Sequence, residues 1–266
     1  MTFTERQMER YSRHILLQEV GLEGQEKLYN GKVLIIGAGG LGSSVTLYLA
    51  AAGVGTIGIV DGDEVDLSNL QRQIIHSTKD IGKAKVISAK ESIVKMNPDV
   101  RVHTYPFMIN MDNIMDIIKE YDFIIDATDN FSSKFLINDA CVMAKKPFSH
   151  AGILRFKGQV MTYVPEKGPC YRCIFKNPPP KEAIPSSKQV GILGAMCGVI
   201  GSIQAMEAMK YFTGAGDLLV GKLLTYDALK MEFRTVKFPK KDENCGVCSK
   251  TIMNESPILS KRSDPV

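Results

Sequence analysis

Apolar and polar positions come in two rhythms along this chain, and the rhythm changes once. Residues 33–36 are an unbroken apolar run, VLII, the pattern of a strand buried on both faces. Residues 56–60 and 122–127 read as two more buried strands, and strands are also expected near 100–105 and 147–151. Between them the apolar spacing is helical over 41–53, 83–97, 111–120 and 131–144, with Pro98 stopping the second of these. Residues 4–30 read as helical, with Tyr11, Ile15, Leu16 and Leu17 on a partial apolar face. Strands that alternate with helices predict an α/β fold, a Rossmann-like parallel sheet wound with helices. In such sheets ligands bind beyond the carboxyl ends of the strands.

From about residue 155 the pattern changes. Residues 159–164 alternate as an antiparallel strand does, and 222–227 and 231–238 predict two more strands. Residues 198–212 form a helix with small side chains on one side. Residues 176–190 carry four prolines and read as a long exposed loop. One domain over 1–250 is expected: N-terminal helices 1–30, a nucleotide-binding core 31–155 and a C-terminal part 156–250. A disordered tail over 251–266 would follow.

Composition narrows the class. The 266 residues carry 33 basic and 29 acidic side chains, a net charge of +4, too mild a balance to argue for nucleic acid or membrane. No apolar run reaches the length of a membrane span, and the charged N-terminus lacks the apolar core of a signal peptide, so a cytoplasmic protein is expected.

Two groups of residues carry chemistry. Gly37, Gly39 and Gly42 give G-x-G-x-x-G between a strand and a helix, where unpaired N–H groups and the helix dipole seat a phosphate. Asp61, 24 residues after Gly37, ends the second strand, as a ribose-binding carboxylate does. Asp129 ends another strand, so the three features line one crevice. Four of the six cysteines form two C-x-x-C pairs, Cys170/Cys173 and Cys245/Cys248, separated by 71 residues. Two such hooks complete a tetrahedral zinc shell with no open position, which predicts a structural metal. Cys141 and Cys197 lie in apolar helical surroundings and read as packing. His14, His76, His103 and His150 are scattered and suggest no catalytic dyad. On the residues alone, Lys85 and Arg13 read as solvated, and Ser68 and Asn69 as caps of a turn.

The glycine motif, the run DGDEVDLSNLQRQ from Asp61, the segment Ala127-Thr128-Asp129-Asn130 and the two cysteine pairs together resemble the ThiF/MoeB/HesA family. That resemblance covers about residues 6–248. It implies ATP- and magnesium-dependent adenylation of the C-terminal glycine of a ubiquitin-like sulfur carrier protein, in thiamine or molybdopterin biosynthesis, with a sulfurtransferase as a possible further partner. It implies that Gly39 and Gly40 approach the phosphates, Asp61 holds the ribose, Ser68 and Asn69 face the phosphates, and Arg72 and Lys85 neutralise them. Asp129 would hold magnesium, with Asn130 beside it. Arg13 would reach across a homodimer into the partner's ATP site, and the 156–250 part would bind the carrier. At the loop position where many family members have cysteine, this chain has Ser187, which leaves a covalent carrier link at that residue in doubt. The competing expectations are an NAD-dependent Rossmann oxidoreductase, which shares the glycine motif and distal acid, and a non-catalytic scaffold for a ubiquitin-like protein.

Overall fold

The computed structural model describes residues 3–179 and 191–249. Its frame is one eight-stranded sheet in the order β3-β2-β1-β4-β5-β6-β7-β8. The strands are β1 (Lys32–Ile36), β2 (Thr56–Val60), β3 (Arg101–Tyr105), β4 (Phe123–Asp126), β5 (Phe148–Leu154), β6 (Lys157–Tyr163), β7 (Lys222–Asp227) and β8 (Glu232–Lys237). β3, β2, β1, β4 and β5 pair in parallel, and β5 to β8 antiparallel. The expected mostly parallel sheet with antiparallel C-terminal strands is therefore present.

The helices are α1 (Glu5–Ile15), α2 (Gly21–Asn30), α3 (Gly40–Ala51), α4 (Lys85–Met96), α5 (Ile114–Lys119), α6 (Phe131–Met143), α7 (Tyr171–Ile174) and α8 (Gly194–Thr213). They cover both sheet faces, which is why the central strands are apolar at nearly every position. Val33 and Ile35 of β1 pack with α3, α4 and α8 residues on one face, and Leu34 and Ile36 with α5 and α6 residues on the other. All four are 0–2% exposed, and burying such side chains stabilises by about 1.5–3 kcal/mol each.

The N-terminal helical region is two helices, because the chain turns at 16–20 into Gly21, whose φ of +58° no α-helix interior adopts. Two expectations are corrected. The helix expected over 111–120 begins only at Ile114, since Asn110 accepts from the Asp112 and Asn113 amides and closes a turn there. The helix expected from residue 198 begins four residues earlier, at Gly194. Most of the proline-rich loop, Ser187 included, and the whole C-terminal tail lie outside the described residues.

Candidate active site

β1 turns into α3 through the glycine loop, and two of its glycines are dictated by packing. Gly37 has φ +105°, and a Cβ on it would lie 2.7 Å from the Ala127 carbonyl oxygen. A Cβ on Gly42 would overlap the Gly37 carbonyl oxygen. Gly39 is different. A Cβ there would meet only Gln73 Nε2, at 3.7 Å, so no fold contact forbids one. Gly39 is the N-cap of α3 and has no capping side chain. The first amides of this helix open onto the cleft with room for an anion.

Asp61 braces the loop from β2. Its Oδ2 accepts from the Ala38 amide at 2.7 Å and its Oδ1 from the Asp63 amide at 2.9 Å. His76 braces it from behind. The Ala38 carbonyl requires a donor at Nε2 (3.0 Å), which leaves Nδ1 to accept from Ser88 Oγ at 2.8 Å. This is the neutral ring, and burial lowers the pKa of His76.

These elements border a cleft of about 1430 Å³. Its inner end brings together Gly37, Gly39 and Gly40 with Asp61, Arg72 and Lys85, and Asp129 and Asn130 face them from the end of β4. Phe107, Met108 and Ile109 make an apolar wall on the Asp61 side. The cleft then runs outward across β5 and β6, past Gly152, Ile153 and Gly158, to Lys157, Lys230 and Arg234. The inner half has the groups to hold a polyanion beside a sugar, and the outer half is lined by β5 and β6 backbone and by cations.

Gly42, Ser68, Asn69 and Arg13 do not line the cleft. Ser68 and Asn69 sit on a one-turn 3-10 helix. Asp66 caps this turn by accepting from the Ser68 amide, and the Asn69 side chain accepts in return from the Asp66 amide. That turn carries Arg72, which donates to the Ser68 carbonyl at 3.1 Å. Arg13 is exposed in the last turn of α1.

Sequence reasoning missed a buried cluster beneath Asp129. Asp126, Lys134 and His150 are 0%, 6% and 1% exposed. The His150 Nδ1–Asp126 Oδ2 distance is 2.7 Å, and Lys134 Nζ lies 3.4 Å from the same oxygen. Burial would raise the Asp126 pKa, but Lys134 and His150 outweigh it and hold the carboxyl down at about 2. Burial lowers His150, and the neighbouring Lys134 cation lowers it further. The available signal was an acidic residue inside an apolar strand, which must find a partner. Gln73 was missed as well. It is buried against the glycine loop, and its Oε1 has no partner among the described residues.

The four cysteines converge. Sγ–Sγ distances are 3.9 Å for Cys170–Cys173, 3.6 Å for Cys170–Cys245 and 3.3 Å for Cys173–Cys248, and all four sulfurs lie within 4.8 Å of one another. A tetrahedron of sulfurs about 2.3 Å from a zinc ion has edges of about 3.8 Å, so the cluster fits a zinc site. Arg172, between the first pair, makes a two-pronged bond to Asp139 of α6 at 2.7 Å on both arms. The cysteine cluster is thus fastened to the helix that follows Asp129. No helix of the described residues is long and apolar enough to cross a membrane.

Known proteins are similar to this chain. The chain is 48% identical over 235 residues to a probable adenylyltransferase/sulfurtransferase MoeZ of Mycobacterium tuberculosis, covering 87% of this chain and 60% of that one. It is 44% identical over 255 residues to the adenylyltransferase and sulfurtransferase MOCS3 of Culex quinquefasciatus, covering 96% and 57%. It therefore spans about three-fifths of the length of these relatives. A sulfur carrier protein adenylyltransferase of Thermus thermophilus is 43% identical over 253 residues, with 93% of each chain covered. Among solved structures, E. coli MccB with ATP superposes with a TM-score of 0.79 at 26% identity, covering 90% of this chain and 74% of that one. The ThiF family matches residues 11–247, nearly the whole length. The chain belongs to the ThiF family.

Proposed function

We propose that this chain adenylates the C-terminal glycine of a ubiquitin-like sulfur carrier protein, consuming ATP and releasing pyrophosphate. The observation that carries this reading is the shared cleft. A phosphate-seating loop, a ribose-type carboxylate, two cations and an exposed carboxylate surround its inner end, and the cleft continues from there across β5 and β6. The relatives named as adenylyltransferases, one of them of a sulfur carrier protein, support it.

The chemistry follows from these residue types. A carboxylate oxygen of the carrier attacks the α-phosphorus and forms a new P–O bond. The bond to the β-phosphate oxygen breaks, and pyrophosphate leaves with the electron pair. The attacking acid is already ionised, so no general base is needed. The obstacle is charge, an anion approaching a polyanion. The amides at the start of α3, Arg72 and Lys85 absorb the charge that builds on the phosphates. Arginine suits the role because its planar fork bonds two oxygens at once. Ser68 and Asn69 act by holding the turn that carries Arg72. Asp61 accepts from the ribose hydroxyls. Asp129, beside Asn130, would hold magnesium, which neutralises phosphate charge when bound. Cys170, Cys173, Cys245 and Cys248 would hold a structural zinc.

The same reading makes the protein a cytoplasmic homodimer in which Arg13 of one protomer completes the site of its partner. The exposure of Arg13 outside its own cleft supports this. The carrier ends in Gly-Gly, and the activated product serves a sulfurtransferase step of thiamine or molybdopterin synthesis. The deciding test is carrier-dependent ATP–pyrophosphate exchange with purified carriers ending in Gly-Gly. Exchange with at least one carrier, and tighter binding of ATP with magnesium than of NAD by calorimetry, is expected. Tight NAD binding, or carrier binding without exchange across the panel, would overturn the reading.

A further inference from the structure

Asp129 makes no side-chain hydrogen bond to any described residue, so its aim is set by its backbone. On its far side Asn130 caps α6, accepting from the Ser133 amide at 2.9 Å and from Ser132 Oγ at 2.7 Å. On its near side the chain is held by Asp126. One carboxylate oxygen of Asp126 accepts from both the amide (3.1 Å) and the hydroxyl (2.6 Å) of Thr128, closing a tight turn at the end of β4.

Lys134 completes the arrangement from the first turns of α6. Its ammonium has three protons. It donates to the Thr128 carbonyl at 2.7 Å and to the Ala151 carbonyl at 2.7 Å, and faces the Asp126 carboxylate at 3.4 and 3.5 Å. All three protons are engaged, and the side chain is only 7% exposed. Lys134 borders the cleft but has no donor left for a phosphate. The two carbonyls that it grips belong to the peptide groups immediately before Asp129 and Gly152, one just past the end of β4 and one within the neighbouring β5. A buried ion pair is weak evidence for stability, since desolvation offsets most of its attraction. This one ties the segment after β4 to the neighbouring β5 where both border the cleft.

We propose that Lys134, held by Asp126, which His150 supports in turn, is a positioning residue that aims the Asp129 carboxylate at its magnesium ion and ties β5 to the segment that carries it. The inference rests on the adenylation reading. It predicts that removing the ammonium will be felt chiefly through magnesium, because partners that orient a ligating carboxylate typically change metal affinity or activity by about 10- to 100-fold.

The test is calorimetric titration of the full chain with ATP, with and without magnesium, beside thermal denaturation, for the parent, Lys134→Met, Lys134→Arg and Asp129→Asn. Asp129→Asn calibrates the reading, since it should lose the gain in ATP affinity that magnesium confers on the parent. Lys134→Met should bind ATP without magnesium within about twofold of the parent and lose about tenfold or more of that gain. Lys134→Arg keeps the charge and has donors enough for the carboxylate and a carbonyl, so it should recover the gain to within a few-fold. The double variant Lys134→Met/Asp129→Asn should be no worse than Asp129→Asn, because both changes disable one carboxylate. A lower melting temperature in Lys134→Met with the magnesium gain intact would overturn the inference and leave the adenylation reading standing. A parent or an Asp129→Asn variant indifferent to magnesium would instead overturn the role given to Asp129. Should Lys134→Met fail to fold, Thr128→Val removes only the hydroxyl bond to Asp126. A loss of about threefold in the magnesium gain supports the proposal, and an unchanged gain refutes it.

Discussion

Lys85 Nζ lies 2.8 Å from Asp63 Oδ2, joining a side chain only 7% exposed to one that is 54% exposed. The backbones are tied as well, the Lys85 amide donating to the Asp63 carbonyl at 3.0 Å. Both residues line the inner cleft. The most enclosed cation of that end is therefore paired with an acid. A triphosphate entering beside it must replace Asp63 as the lysine's partner.

Lys85→Met should reduce carrier-dependent pyrophosphate exchange by about 100-fold, the scale on which single donors to a developing anion act. The methionine keeps most of the buried stem, so the melting temperature should shift by no more than about 4 °C. Asp63→Asn should act in the opposite direction on binding and tighten ATP several-fold in calorimetry, since the lysine no longer has a competing charge. Weaker ATP binding by Asp63→Asn would mean that the carboxylate orients the lysine and does not compete for it.

The glycine loop yields a paired prediction. Gly42→Ala drives a methyl group into the Gly37 carbonyl, and Gly39→Ala meets only Gln73 Nε2 at 3.7 Å. Gly42→Ala should be strongly destabilised in thermal unfolding. Gly39→Ala should unfold within about 4 °C of the parent yet bind ATP at least tenfold more weakly, because its methyl occupies the phosphate seat. Equal ATP affinity in Gly39→Ala would move that seat elsewhere.

Metal removal should be visible without any enzyme assay. The purified chain should carry about one zinc per chain by atomic emission, and chelation should lower its melting temperature and release the segment after β8 to limited proteolysis. Cys245→Ser should behave like the chelated protein. A metal-free preparation that melts with the parent would show that the cysteine cluster contributes no folding energy.

Acid should weaken the fold in two stages. His76 and His150 both have pKa values lowered by burial, so the unfolded chain takes up their protons first. Their contribution is full above about pH 6.5 and is lost as pH falls below it. Asp126 has its pKa lowered to about 2, so its contribution is full above about pH 4 and is lost as pH falls towards 2. Melting temperature should thus decline between pH 7 and 5 and fall again below pH 4. His76→Gln should flatten the first decline, and an unchanged slope would show that His76 titrates normally in the fold.

Much of this molecule can be read from local pattern. The runs 33–36, 56–60 and 123–126 are apolar at nearly every position because strands covered on both faces have no polar side. The glycines at 37 and 42 are dictated by one tight strand-to-helix turn, and the cysteine pairs by the reach of a C-x-x-C hook. Each depends on neighbours a few residues apart, so the order of residues determines it. Tertiary structure alone decided what depends on distant segments meeting: that Lys85 rests against Asp63, that His150 and Lys134 share Asp126, and that Ser68 and Asn69 support Arg72 without facing the cleft. The physical reason is that a buried charge takes its meaning from the partner that compensates it, and here those partners come from other strands and helices.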